Sequence, residues 1–399
     1  MISLQDIEQA AQRVAGVIRP TPIVRPDSLS RLAGRPVLLK PEYQQRTGSF
    51  KIRGAYNHIS RLPPGGTVVA ASAGNHAQGV ALAAALTGHR SVIFMPVTAA
   101  LPKVNATRSY GAEVRLEGDV VDDSLAAAKA FAASAPGAVF VPPFDDPLII
   151  AGQGTVGLEV AAEAPEAEVV VVPIGGGGLI SGVATALAHT LRGCKVVGVE
   201  AAGATSMVQS LAAGRSVTLP GVATMADGIA VKTVCDLTLS HVQAFVDEVV
   251  TVDEEQISQA VLLLLERAKA VVEPAGAVAL AAILAGKVSG RGPAVAVLSG
   301  GNVDPLLLIK LIDHGLSAAG RYLRLRLVLA DHPGALAAAT AAVASMGLNV
   351  LDVEHHRAGV RVGVDEVEVL FTLETRDPEH REQVVDGLRA RGYRVELLA

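Results

Sequence analysis

The sequence predicts an α/β fold in two parts, on three observations. From residue 36 to about residue 300, short apolar runs alternate with stretches of helical spacing, the order that lays strands side by side in a parallel sheet with helices on its faces. At three places an apolar run passes through small or turn-forming residues straight into a helix: Thr47-Gly48-Ser49, Ser72-Ala73-Gly74 and Gly175 to Gly178. Beyond Leu316 to Gly320 the pattern changes to strand, helix, strand, strand, helix, strand, a ferredoxin-like βαββαβ unit of about 80 residues.

Composition narrows the functional classes. The 399 residues are 50% hydrophobic and 18% charged, with 40 glycines, which fits a globular chain rich in strand-to-helix turns and not a disordered one. The formal net charge is −5 and no long basic run occurs, so nucleic acid is not an expected partner. The two cysteines, Cys194 and Cys235, have no CxxC spacing, so neither a disulfide framework nor a zinc site is expected; both read as small buried hydrophobes, and no metal site is assigned. Residues 1–8 are acidic and amphipathic, unlike a signal peptide. Val169 to Leu191 lacks Asp, Glu, Lys and Arg, but Pro173 and the four glycines after it break any continuous helix, so no membrane span is expected. A cytoplasmic protein is the expectation.

Taken in order, Ser3 caps a first helix to about Ala15, and Pro20, Pro22 and Pro26 make an extended link. A strand over Pro36 to Lys40 precedes the turn Thr47-Gly48-Ser49, whose residues are read as turn and N-cap. Lys51 then falls in the first turn of a helix reaching Leu62, where the positive end of the helix dipole disfavours a cation. Held beside Phe50, such an amine loses its proton more easily, and a neutral amine can attack a carbonyl to form a Schiff base.

Thr67 to Ala71 reads as a buried strand, followed by Ser72 to Gly79 and an apolar helix from Val80 to Leu86. The N–H groups of a helix N-terminus, with Ser72 and Asn75, suit a carboxylate; an ordinary N-cap at Ser72 fits the local pattern equally. Ser91 to Val97, Glu113 to Leu116 and Ala138 to Val141 are further strands, and Pro142-Pro143 ends this unit. Gly152 to Gly157 matches G-x-G-x-x-G but lacks an acidic residue about 20 positions on to hold a ribose, so it reads as the close-packed start of a helix from Thr155 to Ala162.

The strand Glu168 to Ile174 runs into Gly175-Gly176-Gly177-Gly178 and then a helix from Leu179. Four glycines between a buried strand and a helix let backbone N–H groups converge on an anion, and without a following Gly-Lys-Ser/Thr a single phosphate is the natural ligand. Lys195 to Glu200 is another strand, Ala226 to Gly228 a turn, and Asp253 opens a helix to Val272 that ends at Glu273-Pro274-Ala275-Gly276. Ser299-Gly300-Gly301-Asn302 follows the strand Ala294 to Leu298, where Ser299 offers a neutral hydrogen bond at a strand end, the place where open α/β sheets bind ligands. The terminal unit holds no nucleophile-base pair and reads as a binding or assembly module. A lysine amine, a phosphate site, a carboxylate site and a neutral partner together suit one cofactor, pyridoxal 5′-phosphate, with Lys51 as its Schiff-base lysine, Gly175 to Gly178 on its phosphate and Ser299 at its pyridine nitrogen.

Ser49 to Ala55, Ser72 to Gly79, Gly175 to Gly182 and Ser299 to Asn302, four motifs in one order across roughly residues 5–315, resemble the threonine dehydratase (threonine ammonia-lyase) family of fold type II pyridoxal enzymes. The resemblance implies a two-domain catalytic part like the tryptophan synthase β chain over residues 1–318, with a smaller subdomain at about 54–142, and a regulatory part over 322–399 that is similar to an ACT domain. It implies that Lys51 carries the cofactor and, once free, removes the substrate α-proton; that Phe50 packs against the ring; that Asn75 approaches the ring hydroxyl; and that Ser72, Ala73, Gly74, Asn75 and His76 surround the substrate carboxylate, Ser72 also being placed with Lys51 among the catalytic residues. The implied reaction is β-elimination from L-threonine to 2-oxobutanoate and ammonia, and from L-serine to pyruvate. Neutral Ser299 leaves the ring a milder electron sink, which an elimination tolerates because the leaving group takes the electrons.

The related serine racemases resemble the chain closely but carry a second serine where Ala73 stands, and bind a cation near positions matching Glu200 and Ser206; Ala73 disfavours racemisation and Ser206 disfavours the cation, leaving Glu200 as a paired carboxylate at a strand end. The alternatives are a serine or 3-hydroxyaspartate dehydratase or racemase, and a non-catalytic amino-acid sensor. The resemblance further implies an amino-acid effector, isoleucine or valine, near Asp331 to Ala335, a role in amino-acid metabolism such as isoleucine biosynthesis, and a homodimer or homotetramer.

Overall fold

The computed structural model describes residues 1–318, 320–357 and 363–398. Residues 319, 358–362 and 399, which the expected boundary and the expected terminal unit include, lie outside the described residues. The chain divides into two compact units, Met1–Pro305 and Leu306–Ala399.

The first unit holds nine strands: β1 (Val37–Lys40), β2 (Thr67–Ala71), β3 (Arg90–Met95), β4 (Glu113–Leu116), β5 (Ala138–Phe140), β6 (Val169–Pro173), β7 (Lys195–Ala201), β8 (Glu248–Val252) and β9 (Ala294–Val297). They form two parallel sheets, ordered β1-β9-β6-β7-β8 and β4-β3-β2-β5. β6 and β9 sit inside the larger sheet and are buried along their whole length, because helices cover both faces; hence their unbroken Val and Ala runs. β8 was not expected from the sequence. It is the edge strand of that sheet, begins with exposed Glu248 and buries only Val252; its β-branched run Val249-Val250-Thr251-Val252 is a strand signal that sequence reasoning missed between the acids on either side.

Three helices meet backbone to backbone in this unit. The helix Pro147–Glu163 starts at Asp146, whose carboxylate accepts the N–H groups of Leu148 (2.8 Å) and Ile149 (3.0 Å). The G-x-G-x-x-G stretch therefore lies inside this helix and does not start one at Thr155; the Asp146-Pro147 start signal decides the boundary. A Cβ on Gly152 would come 2.6 Å from Gly54 Cα, and one on Gly182 would come 2.3 Å from the Ile150 carbonyl oxygen. These glycines let the helices Lys51–Ile59 and Gly178–Thr190 close onto Pro147–Glu163. The helix opened by Asp253 also differs from expectation: it runs from Glu254 to Leu263, passes into a π-helical turn at Leu264–Ala268, and stops where Lys269 adopts φ 56°.

Behind the Lys51 helix lies a buried charge cluster. Arg53 and Glu42 are both fully enclosed and pair through two hydrogen bonds of 2.7 and 2.8 Å. Glu159 accepts from the same guanidinium at 2.5 and 2.9 Å and from Lys40, at the end of β1, at 2.7 Å. Two carboxylates against one planar fork satisfy nearly all its donors, which is what allows a charge this deep.

The second unit is a four-stranded antiparallel sheet with two helices packed on it. Its order is β10 (Tyr322–Ala330), helix Ala335–Ser345, β11 (Val350–His356), β12 (Glu366–Glu374), helix Pro378–Ala390 and β13 (Arg394–Leu397), with the sheet arranged β11-β12-β10-β13. The expected βαββαβ succession is present. Leu323, Leu325, Leu327 and Leu329 alternate inward along β10, opposite Leu373, Phe371, Val369 and Val367 of β12, and close the core with the helices.

Candidate active site

Lys51 is the first residue of its helix, but the N-cap is Phe50 and not the Thr47 to Ser49 turn. The turn is held by the loop after β9 instead: Phe50 N–H donates to the Ser299 carbonyl at 3.1 Å and Gly301 N–H to the Gly48 carbonyl at 2.9 Å. Gly48 must be glycine, since its φ is 69° and a Cβ would meet Asn302 Oδ1 at 2.5 Å. The hydroxyls of Thr47 and Ser49 are consequently free of capping duty, and both are buried without a hydrogen-bond partner among the described residues. Lys51 Nζ donates to the Pro143 carbonyl at 2.7 Å and lies 5.1 Å from the centre of the Phe50 ring. Burial brings its ammonium down to about 8, against the pull of the Glu273 carboxylate.

The glycine loop lies beside this lysine through two consecutive residues. Pro143 takes the Lys51 amine, and the Phe144 ring rests on Gly176, where a Cβ would sit 2.2 Å from it. Gly177, at φ 88°, is the N-cap of the helix Gly178–Thr190. The first intrahelical bond runs from Ser181 N–H to the Gly177 carbonyl at 3.0 Å, so the N–H groups of Gly178, Leu179 and Ile180 are left for a ligand or solvent.

A second helix N-terminus lies against the lysine helix. The helix Asn75–Thr87 has Gly74 as its N-cap, not Ser72; Ser72 Oγ accepts the Gly74 N–H at 3.1 Å within the turn. A Cβ on Gly79 would lie 3.1 Å from the Lys51 carbonyl carbon, so this helix runs against the start of the lysine helix. Asn75 donates to Glu273 at 2.5 Å and accepts from Asn302 at 2.7 Å. Ala73 offers only a methyl group. The buried ring of His76 is committed to the Val141 carbonyl at 2.9 Å, and burial pulls it down to about 3, so it is neutral. Ser299 is buried at the end of β9, in the loop that clamps the lysine turn.

Glu200 is not an ion-paired carboxylate. Fully enclosed in β7, it accepts the N–H groups of Met207 (2.8 Å) and Val208 (2.9 Å) and so caps the helix Ser206–Ala213; burial pushes it up to about 7. Among the described residues no group of three or more His, Cys, Asp or Glu is arranged to hold a metal ion. No described helix is long and apolar enough to cross a membrane. Cys194 and Cys235 are free thiols, half-buried where full burial was expected. Sequence reasoning missed Pro143, Phe144 and Glu273 as parts of the site. Only Glu273 carried a signal: it is an acid set in the otherwise apolar stretch from Ala270 to Leu284.

A sequence profile described as pyridoxal-phosphate dependent enzyme matches residues 14–300. The chain belongs to this family. The profile of the ACT domain matches residues 323–391, so the pyridoxal-phosphate enzyme carries an ACT domain at its C-terminal end. It is 46% identical over 402 residues, covering 100% of both chains, to a protein of Thermotoga maritima named L-threonine ammonia-lyase. It is 46% identical over 396 residues, 98% of each chain, to one of the same name from Geobacter sulfurreducens. Among solved structures, a threonine deaminase from the organism abbreviated T.th. aligns with a TM-score of 0.72 at 40% identity, over 76% of this chain and 99% of that one. Maize serine racemase aligns at 0.73 and 36%, over 79% and 98%.

The residues present suit the family's cofactor. The lysine amine is lowered toward neutrality, the glycine loop frees N–H groups at a helix start, and buried Thr47 and Ser49 hydroxyls lie unpartnered in the lysine turn. The cofactor of this enzyme is pyridoxal phosphate.

Proposed function

We propose that the chain is a threonine ammonia-lyase, releasing 2-oxobutanoate and ammonia from L-threonine and pyruvate and ammonia from L-serine. The observation that carries the reading is the Lys51 amine, brought down to about 8 beside Phe50 and next to the glycine loop. The choice of threonine rests on two relatives of that name at 46% identity along essentially the whole chain.

When bound, pyridoxal phosphate supplies an aldehyde for the substrate amino group and a ring that withdraws electrons. The glycine loop, Gly175 to Gly178, holds the phosphate on free N–H groups. Phe50 packs against the ring, Ser299 meets the pyridine nitrogen with a neutral hydroxyl, and Asn75 meets the ring hydroxyl. Ser72 and the N–H groups at Asn75 and His76 hold the substrate carboxylate at the start of the Asn75 helix, with Ala73 and Gly74 forming the turn around it. Lys51, as a free amine, takes the α-proton, the β-hydroxyl leaves with a proton as water, and a water then releases the nitrogen as ammonia and leaves the 2-oxo acid. Ala73 has no proton to give from the opposite face, so elimination is favoured over racemisation.

The ACT domain binds an amino-acid effector, with Asp331 to Ala335 as its loop, and the enzyme works as a homodimer or homotetramer in the cytoplasm. The deciding experiment is 2-oxobutanoate release from L-threonine by cofactor-loaded protein, with Lys51→Ala in parallel. Turnover lost in the variant is the expected result. Bound cofactor without turnover of threonine, but with turnover of L-serine or 3-hydroxyaspartate, would reassign the substrate. No bound cofactor would overturn the reading.

A further inference from the structure

Glu273 has no part in the reaction as set out above, yet the fold spends considerable structure on placing it. The chain leaves the π-helical turn at Leu264–Ala268 through Lys269, the one non-glycine residue with positive φ among the described residues, and this bend lets Glu273 N–H reach the Gly300 carbonyl at 3.1 Å. The side chain is then enclosed, with 4% exposure, at the head of the helix Pro274–Leu284. Gly300 leaves the room for it, since a Cβ there would lie 2.2 Å from Glu273 Oε1 and 2.9 Å from Asn75 Nδ2.

A chain of side-chain hydrogen bonds starts at this carboxylate. Glu273 Oε1 accepts from Asn75 Nδ2 at 2.5 Å, and Asn75 Oδ1 accepts from Asn302 Nδ2 at 2.7 Å. Asn302 Nδ2 is itself fixed by the Thr47 carbonyl, also at 2.7 Å. The charged groups facing Glu273 are Asp227 from the turn Asp227–Ile229, Lys103 from the helix Leu101–Ser109, and Lys51. Burial first, and then Asp227, push its carboxyl up to about 7, while Asn75 and the two lysines oppose the rise.

An amide side chain has two N–H donors and one carbonyl acceptor. In Asn75 one donor is committed to Glu273 and the carbonyl to Asn302. The donor left over is the second N–H, and the amide cannot turn over without breaking both bonds. We propose that Glu273 is a positioning residue that, by locking Asn75 as a hydrogen-bond donor, holds the ring oxygen of the cofactor in its deprotonated form. The inference rests on the functional reading above, which puts Asn75 at that oxygen. A protonated Glu273 is itself a donor; it draws the Asn75 carbonyl toward it at the cost of the Asn302 bond, and the turned amide presents to the ring oxygen an acceptor, which favours its protonated form.

The test is the absorption of the resting, cofactor-loaded enzyme without substrate, because the bound cofactor absorbs in the visible when its ring oxygen is deprotonated and in the near ultraviolet when it is protonated. In the wild type the visible band should dominate at about pH 8 and give way toward about pH 6, across the value to which burial brings Glu273. Glu273→Gln should lower the visible-to-near-ultraviolet ratio about tenfold at pH 8, the effect of one pKa unit. It should also abolish the pH dependence and lower kcat more than KM. Asn302→Ala should lower the ratio while keeping the pH dependence, since Glu273 remains. A wild-type ratio that stays flat between those pH values overturns the inference whether or not the variants fold, and so does a Glu273→Gln spectrum identical to the wild type. Either result, in a protein that binds cofactor and turns over threonine, overturns this inference alone; wild-type protein with neither band overturns the functional reading along with it.

Discussion

The Lys51 amine donates to the Pro143 carbonyl at 2.7 Å, and the residue after that proline lays its ring on the glycine loop. Enclosure brings the amine from its ordinary 10.5 down to about 8, so about half the molecules present a neutral nucleophile at pH 8. The rate at which cofactor-free protein takes up pyridoxal phosphate should therefore rise with pH and level off above about 8, followed as growth of the visible band. A rate still climbing steeply at pH 10 would mean an ordinary exposed lysine. The same shift acts on stability: between about 8 and 10.5 the unfolded chain holds a proton the native one has lost, so this group's contribution to stability rises with pH in that window.

Gly176→Ala should cost cofactor affinity before it costs the fold. The added methyl would lie 2.2 Å from the Phe144 ring, which must move off the loop, while the surrounding strand and helix are untouched. A loss of about tenfold or more in affinity, about 1.4 kcal/mol, is expected in equilibrium dialysis, with the far-ultraviolet circular dichroism unchanged.

Arg53 is the linchpin of the buried charge cluster. Arg53→Met leaves Glu42 and Glu159 facing each other without their shared cation, which should lower unfolding stability by roughly 3–5 kcal/mol, read as a shift of the urea midpoint. Adding Glu42→Gln to the variant should recover part of the loss. Strict additivity of the two changes would show that the pair is not coupled.

Glu200→Gln should change how stability depends on pH. Burial raises this carboxyl from 4.5 to about 7, so between those values the native chain holds a proton that the unfolded chain has lost, and the stability due to this group falls as pH rises through the window. The glutamine variant lacks that slope. Relative to wild type it should gain up to roughly 3 kcal/mol between pH 4.5 and 7, whatever it loses by exchanging an acceptor oxygen for an amide nitrogen. Parallel thermal midpoints across that range would contradict the assignment.

Much of the fold was legible because each parallel strand carries its own signal. The apolar runs at β2, β6, β7 and β9 and the alternating leucines of β10 announce buried and half-buried strands directly. β8 was passed over although Val249, Val250, Thr251 and Val252 are β-branched, since the acids Asp247, Glu248 and Asp253 around this short edge strand give the stretch the polarity of a loop. Lys51 and Gly175 to Gly178 could be picked out because each joins an unusual residue pattern to a strand-to-helix turn. Phe144 could not, since its place depends on a contact with Gly176, distant in the chain; Glu273 stood out as an acid in an apolar stretch, but what it holds, Asn75, is equally distant. The N-caps at Phe50 and Gly74 escaped because the neighbouring hydroxyls, which local rules favour as caps, do not cap: Ser72 Oγ accepts the Gly74 N–H within its own turn, and Ser49 Oγ has no partner among the described residues.

The contact between Gly152 and Gly54 has a mechanical side. The helix that bears Lys51 has two loyalties: Ile52, Ala55 and Ile59 belong to the core of the smaller sheet, while Gly54 touches the long helix Pro147–Glu163, whose Val156 and Val160 belong to the core of the larger one. At Gly152 the two helices touch through backbone alone, and beside Gly54 only the Gln153 side chain intervenes, so few groups could bend or rotate to absorb a tilt of one helix against the other. Lys51 is thus carried by a helix tied to both cores at once, so its amine is placed by the packing of the two sheets together.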